Sequence, residues 1–108
     1  MFERHGYDIA CDLSVTFAQL ALGARVEIPT LEEPATIKIP PGTQSHKVLR
    51  LKGKGIPHLN SYGRGDQLVR LVAWTPQNLS KDERAAFEEL ERKLREKPPA
   101  VGAKERPR

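Results

Sequence analysis

Five short segments in which apolar and polar residues alternate constrain the fold most, because a period of two residues is typical of a β-strand with one buried face. The segments are residues 7–13, 24–28, 35–39, 48–52 and 67–74. The last one is apolar almost throughout, and a strand of that kind needs cover on both faces. The sequence therefore predicts a β-rich domain whose fifth strand lies at the centre of a sheet.

The connections between these strands carry residues that favour turns. Leu31-Glu32-Glu33-Pro34 separates the second strand from the third, so these two strands should pair as a hairpin. Pro40-Pro41-Gly42 forms a turn before the fourth strand. Gly53-Lys54-Gly55 ends the fourth strand, because glycine adopts positive φ without strain. Gly65-Asp66 forms the turn into the fifth strand.

Two segments follow a helical period instead. From Ser14 to Gly23 the apolar spacing predicts a short helix, for which Ser14 or Thr16 can provide the N-cap and Gly23 suits the position after the end. A second helix should begin at Lys81 and continue to about Lys97, before two prolines. The serine and glutamate of a capping box, Ser80 and Glu83, precede and open it.

The second helix has a narrow apolar stripe, while its other faces carry acid-before-base pairs one turn apart. Such a stripe is too narrow for a helix inside a core. It packs either on its own domain or against a second copy of the chain, and we favour the symmetric contact. The stripe consists of Phe87, Leu90 and Leu94.

The predicted fold class is mainly β. Two small antiparallel-rich sheets should pack as a sandwich or a partly open barrel with one short helix, and a C-terminal helix should follow. A chain of 108 residues supports one compact domain. We place this domain at residues 1–77, the C-terminal helix at 78–97 and a flexible tail at 98–108.

Several function classes find no support in the sequence. No apolar run reaches membrane-spanning length and the N-terminal residues lack a signal-peptide core, so we expect a cytoplasmic protein. Cys11 is the only cysteine, which excludes an internal disulfide and a multi-cysteine zinc site. His5, His46 and His58 lack metal-ligand spacing. No group of residues with the spacing of a catalytic site is evident. We therefore expect that the protein is not an enzyme and that it binds no metal and no cofactor.

A basic strip on the fourth strand and its loop raises the alternative of nucleic-acid binding, with which the net charge of +4 agrees. No aromatic residue is interleaved with the strip to stack on a base, so the solvated face of a strand is the favoured interpretation. A phosphate-binding loop would need a Lys-Ser/Thr pair followed by a helix, and Ile56-Pro57 follows here. The strip consists of Lys47, Arg50, Lys52 and Lys54.

The chain resembles the C-terminal region of DnaJ-type J-domain cochaperones, because six short motifs of that family occur in it in the same order. The similarity is to the second of their two β-rich substrate-binding domains with the dimerisation helix, and it covers nearly all of the chain except the tail. The sequence has no His-Pro-Asp loop, Gly/Phe-rich linker or Cys-x-x-Cys repeats, so we expect a fragment of a longer cochaperone. The motifs are Arg4-x-Gly6-x-Asp8, Ala21-Leu22-Gly23, Ile28-Pro29-Thr30-Leu31, Pro40-Pro41-Gly42-Thr43-Gln44, Gly53-Lys54-Gly55-Ile56-Pro57 and Gly65-Asp66.

The resemblance implies that non-native polypeptide is held without ATP, in extended form, beside the second strand at residues 24–28. This is β-augmentation, in which backbone bonds give affinity and side-chain pockets give selectivity. Apolar client side chains would enter a shallow depression, although each of its lining residues could instead be a core residue. The candidate lining residues are Ile9, Cys11, Leu13, Phe17, Val26 and Ile28.

The resemblance also implies two protein partners. One is a second copy of the chain, which would form a homodimer through Phe87, Leu90 and Leu94. The other is a DnaK-type chaperone, which would act through the full-length parent protein. Two alternative functions stay open: a dimerising spacer without client binding, and a basic nucleic-acid-binding module.

Overall fold

A computed structural model describes residues 2–59 and 63–98. The chain divides into two compact units, Met1–Thr75 and Pro76–Arg108, and each is described by itself. The predicted flexible tail lies outside the described residues, apart from Pro98.

The first unit contains six strands and one helix. Four strands form one sheet in the order β1-β2-β6-β5, and the other two form a hairpin, β3-β4. The predicted hairpin and the predicted central position of the most apolar strand, now β6, are confirmed. The elements are β1 (Glu3–His5), β2 (Asp8–Val15), α1 (Phe17–Leu22), β3 (Ala24–Ile28), β4 (Ala35–Ile39), β5 (Val48–Leu51) and β6 (Gln67–Ala73).

One pairing in the larger sheet is parallel, although all the others are antiparallel. β2 and β6 run side by side over seven residues, from the Ile9–Gln67 pair to the Val15–Ala73 pair. Because the register keeps odd-numbered residues of both strands on one face, Cys11 lies beside Val69. This face turns inward and forms one half of the core.

The hairpin supplies the other half of the core. Three buried isoleucines, Ile28, Ile37 and Ile39, pack with Val69 and Leu71 of the larger sheet in one cluster. Packing of two apolar faces accounts for the mainly β, two-sheet architecture, since each sheet has an inner face that must be removed from water. Arg25, Glu27, Thr36 and Lys38 occupy the exposed face of the hairpin.

The start of the first helix was predicted too early. Ser14 and Val15 belong to β2, and α1 begins after Thr16, whose side chain forms a capping box with Gln19. The pairing of Val15 with Ala73 extends the strand, and a buried β-branched residue fits that environment well. The buried residue of the helix is Leu20, which the helical spacing had not singled out. Strand β1 was not predicted at all.

The second unit contains one helix, α2 (Lys81–Lys93). Its capping box between Ser80 and Glu83 is confirmed. The helix ends about one turn earlier than predicted, with Leu94 as an extended C-cap. Leu94 N–H still donates to the Leu90 carbonyl, and the backbone turns to an extended conformation at Leu94, before the prolines are reached.

Candidate functional site

β3 is an edge strand of the two-stranded sheet. It pairs with β4 over its whole length, and no other strand of residues 2–59 and 63–98 pairs with it. The backbone groups on its outer side therefore have no ladder partner within that part of the chain. An unpaired strand edge of this kind is a template for a further strand.

Five of the six predicted lining residues lie on the inner faces of the two sheets. Cys11 and Leu13 of β2 and Val26 of β3 are partly buried and pack against the core. Ile9 and Ile28 are deeper, with exposed fractions of 3% and 1%, and offer almost no surface in this conformation. Of the predicted lining residues in the two sheets, Cys11, Leu13 and Val26 therefore keep partly exposed surface, and we call these three the apolar wall.

Phe17, the sixth predicted lining residue, is placed differently. It is the first residue of α1, and 47% of its surface is exposed. It follows the carboxyl end of β2, while Trp74 follows the carboxyl end of the parallel partner β6 and is 55% exposed. Trp74 was not singled out from the sequence as a surface residue, because it closes an apolar run that predicts burial.

Sequence reasoning also missed Gln67 as a residue of this region. It is fully buried beneath Cys11, and its Nε2 atom donates to the Pro29 carbonyl oxygen at 3.1 Å. The same nitrogen lies 3.6 Å from Cys11 Sγ. A signal was present in the sequence: Gln67 occupies the same strand face as Val69 and Leu71, where an apolar residue is expected.

The glycine motifs have a structural role at one end of the larger sheet, and none of their residues is a predicted lining residue of the candidate site. Three separate segments meet there: Ile56 N–H donates to the Tyr7 carbonyl at 2.8 Å, and Gly55 and Gly65 are joined by a 2.8 Å backbone bond. Gly65 N–H in turn donates to the Ile56 carbonyl at 2.9 Å. We call this contact of residues 7–8, 53–56 and 65–66 the glycine junction.

Asp66 fixes the glycine junction through its side chain. Its Oδ1 accepts from Gly53 N–H at 2.9 Å and its Oδ2 accepts from Arg50 Nη1 at 2.6 Å. Its own N–H donates to Asp8 Oδ1 at 2.7 Å. The Gly53 N–H, followed by the Arg50 guanidinium, holds the pKa of Asp66 below its ordinary value.

A separate pocket of about 540 Å³ lies on the outer face of the larger sheet, the face that points away from the core. Its apolar lining residues are Ala10, Cys11, Val48 and Leu68, and an ion pair borders it. The Arg70 guanidinium donates to both oxygens of Asp12 at 2.9 Å. This bidentate contact lowers the pKa of Asp12 and raises that of Arg70.

These two carboxylates predict a loss of stability in acid. A carboxyl with a lowered pKa in the folded state contributes stability that is fully present above its unfolded pKa, about 3.9, and is lost as the pH falls through the folded value. We expect the urea midpoint to change little from pH 7 to 5 and to fall below pH 4. Asp66→Asn should lower the midpoint at pH 7 and flatten this acid dependence.

Urea unfolding at pH 7, 4 and 3 measures this effect. Glu27→Gln, on the exposed face of β3, removes a carboxylate outside both networks and is the matched control. Equal acid dependence for Asp66→Asn and the unsubstituted chain, called the parent chain below, would contradict the role of Asp66 in acid stability.

The basic strip is partly neutralised by this network. Arg50 is bonded to Asp66, and the positive charge of Lys52 also acts on the Asp66 carboxylate. Less free positive charge remains for a phosphate backbone than the sequence indicated. Within the described residues there is also no group of three His, Cys, Asp or Glu residues that could hold a metal ion, and no helix there is long and apolar enough to cross a membrane.

The apolar stripe of the C-terminal helix is exposed to solvent. Phe87, Leu90 and Leu94 have exposed fractions of 41%, 51% and 48%. Phe87 and Leu90 are three residues apart in α2 and share one face, whereas Leu94 is the C-cap. Three large apolar side chains so close together leave a surface that a partner could cover.

Comparison with known proteins identifies the family to which the chain is similar. The family described as the DnaJ C terminal domain matches residues 1–76. The chain is 44% identical to a "Chaperone protein DnaJ" of Brevibacillus choshinensis over 96% of this chain and 28% of that protein. It is 47% identical to a "Chaperone protein DnaJ" of Roseiflexus sp. strain RS-1 over 90% of this chain and 26% of that protein. The chain thus spans about a quarter of the length of these relatives.

Proposed function

Since the chain belongs to the DnaJ C-terminal domain family, we propose that it holds non-native polypeptide in extended form along β3, without ATP, and that it mediates homodimerisation through α2. The whole parent protein would deliver such a client to a DnaK-type chaperone. The relatives are named as chaperones, which supports a role of this class.

The unpaired edge of β3 is the observation that carries the proposal. An extended client segment would continue the β3-β4 sheet, so its backbone would receive hydrogen bonds whatever its sequence. A chaperone needs this kind of affinity, because it must bind many different sequences. Every second client side chain would face the same way as Val26, and the others would point to the solvent side with Arg25 and Glu27.

The partly exposed wall gives this edge its selectivity. Cys11, Leu13 and Val26 present apolar surface above a core that is already closed by Ile9 and Ile28. A client side chain would therefore rest in a shallow depression and would not enter a deep pocket. We expect a preference for aliphatic side chains at alternate positions, with weak affinity for any single peptide.

An NMR titration of the isotope-labelled chain with an unfolded, apolar-rich peptide tests the client edge. Chemical shifts should change at residues 24–28 and 11–13, at low and at high salt alike. Val26→Ser should weaken binding about fivefold, because it removes roughly 1 kcal/mol of apolar contact. Thr36→Ser, on the exposed face of the same hairpin, is the matched control and should bind like the parent chain.

Two results would contradict client binding at β3. If no shifts change there, the domain acts as a dimerising spacer. If shifts change only along residues 47–54 and disappear in salt, the basic strip binds the ligand electrostatically.

The dimer part of the proposal is supported by the exposed stripe of α2. Exposing Phe87 and Leu90 to water does not stabilise the helix, whereas burying them would be favourable. A symmetric contact between two chains would bury two copies of each side chain.

A further inference from the structure

Gln67 is a buried polar residue in apolar surroundings. It opens β6 with none of its surface exposed, and its register partners on either side are Ile9 and Leu51. A leucine or methionine would fill similar space without burying an amide. Because burying an amide costs free energy unless its hydrogen bonds are made, its contacts are informative.

The contacts of Gln67 fix the orientation of its amide. Nε2 is the atom that lies 3.1 Å from the Pro29 carbonyl oxygen and 3.6 Å from Cys11 Sγ. The opposite orientation would place Oε1 against the Pro29 oxygen, and two acceptors cannot bond. The amide N–H groups therefore face Pro29 and Cys11. Within the described part of the chain, Oε1 is buried without a hydrogen-bond partner.

The bond to Pro29 joins the two sheets in a specific direction. The hairpin shares no ladder with the larger sheet, and apolar packing between them is not directional. Among residues 2–59 and 63–98, side chains from outside the hairpin and its turn make hydrogen bonds to it at two places, from Gln67 to Pro29 and from Arg64 to Glu32. The Arg64–Glu32 pair involves an exposed carboxylate, where solvent weakens such pairs.

We propose that Gln67 is a positioning residue for the client edge. Pro29 directly follows β3, and Cys11 belongs to the wall of the depression, so one amide holds both sides of the site. By fixing the end of β3 relative to β2, Gln67 sets the width of the depression into which client side chains enter. The proposal rests on the proposed function, and Gln67 itself does not touch the client.

Gln67→Leu separates positioning from stability. The variant removes an unpartnered buried oxygen, and the Pro29 carbonyl belongs to an exposed residue that water can reach. We therefore expect a thermal midpoint equal to or higher than that of the parent chain. Amide hydrogen exchange in the β3-β4 ladder should nevertheless be faster, and peptide affinity should fall about fivefold or more.

Leu51→Ala is the matched control for Gln67→Leu. Leu51 is the register partner of Gln67 on the side away from β2, so its truncation weakens packing but leaves the Pro29 bond intact. It should lower the thermal midpoint without changing the peptide affinity of folded molecules. If both variants lose affinity in proportion to stability, or if Gln67→Leu loses none, Gln67 is only a core residue.

Gln67→Glu adds a rescue that a merely structural role would not show. A buried carboxyl has a raised pKa, so it can be neutral in mild acid and donate its O–H to the Pro29 oxygen. When it is charged, it repels the same oxygen. We expect affinity to be weak at pH 7.5 and to recover at pH 5.5, measured against the parent chain at both pH values. Equal affinity loss at both pH values would overturn the proposal.

Hydrogen exchange without peptide separates this proposal from the proposed function. If the parent chain binds no peptide, client binding at β3 is wrong. Faster exchange in the β3-β4 ladder of Gln67→Leu would then still establish that Gln67 positions β3, and unchanged exchange would refute it.

Discussion

Gly65→Ala should lower the free energy of unfolding by about 3 kcal/mol or more, the upper end of what overpacking costs. A Cβ atom at this position would lie 2.0 Å from the Tyr7 carbonyl oxygen and 2.3 Å from its carbonyl carbon. Both are backbone atoms, so no side-chain rotation can relieve the overlap. The junction would have to separate, and with it the bond from Ile56 to Tyr7.

The size of this effect matters because small domains are only marginally stable. A loss of about 3 kcal/mol removes a large part of a total of roughly 5–15 kcal/mol. Urea unfolding followed by circular dichroism measures it. Gly55→Ala should behave similarly, since its Cβ would lie 2.5 Å from the same Tyr7 oxygen.

Gly42→Ala is the control that separates crowding from backbone conformation. Gly42 has a positive φ of 78° but no atom within 4 Å of its would-be Cβ. Its substitution should cost only about 1–2 kcal/mol, the ordinary cost of the left-handed region for alanine. If Gly65→Ala costs no more than Gly42→Ala, the close approach at the junction is not as the structure shows it.

The glycine junction also shows where sequence reasoning stops. Positive φ was expected for Gly53 and Gly55, and Gly53 has it, with φ of 74°. Gly55 is needed instead for close approach to Gly65 and Tyr7, which lie far from it in sequence. Local turn preferences cannot indicate that three segments distant in sequence meet, because that contact depends on the parallel pairing of β2 with β6.

Prediction of the strands succeeded where one local signal decided the structure. The hairpin and the central strand follow from alternation, turn residues and apolar content, all of which are visible within about ten residues. The boundary at Val15 failed because strand pairing with Ala73 outweighed the helical spacing. Strand β1 carries no apolar alternation, since Glu3, Arg4 and His5 are all exposed and are ordered by pairing with β2.

For the candidate site, the sequence indicated the strands but not the depth of each side chain. Ile9 and Leu13 have the same parity and similar chemistry, yet Ile9 is buried and Leu13 is partly exposed. Which of them remains accessible depends on where the hairpin covers the sheet, and this is a tertiary property. Gln67 was visible as an anomaly in an apolar run, but its partner Pro29 was not.

The second large effect is expected at the C-terminal helix. Leu90→Asp combined with Phe87→Asp should convert the proposed dimer to a monomer at micromolar concentration, halving the mass measured by sedimentation. Each side chain would contribute about 1.5 kcal/mol or more on burial, and symmetry counts every substitution twice. These four side chains together contribute about 6 kcal/mol, so the dimer should weaken by about ten-thousandfold, before the cost of burying a charge is added.

Ala85→Asp is the matched control for the acidic pair. It introduces an aspartate into the same helix, but two residues before Phe87 and on the opposite face. It also lies near the N-terminal end, where a negative charge does not disfavour the helix. The control should keep the dimer mass and a similar helical content.

The outcome also decides what the exposed stripe is for. A monomer that keeps its helix and its unfolding transition would establish that the stripe joins two copies of the chain. An unchanged mass would contradict dimerisation through α2. An unchanged mass together with a lower thermal midpoint would mean that Phe87 and Leu90 are covered by the same chain, because only an intramolecular contact would then be lost.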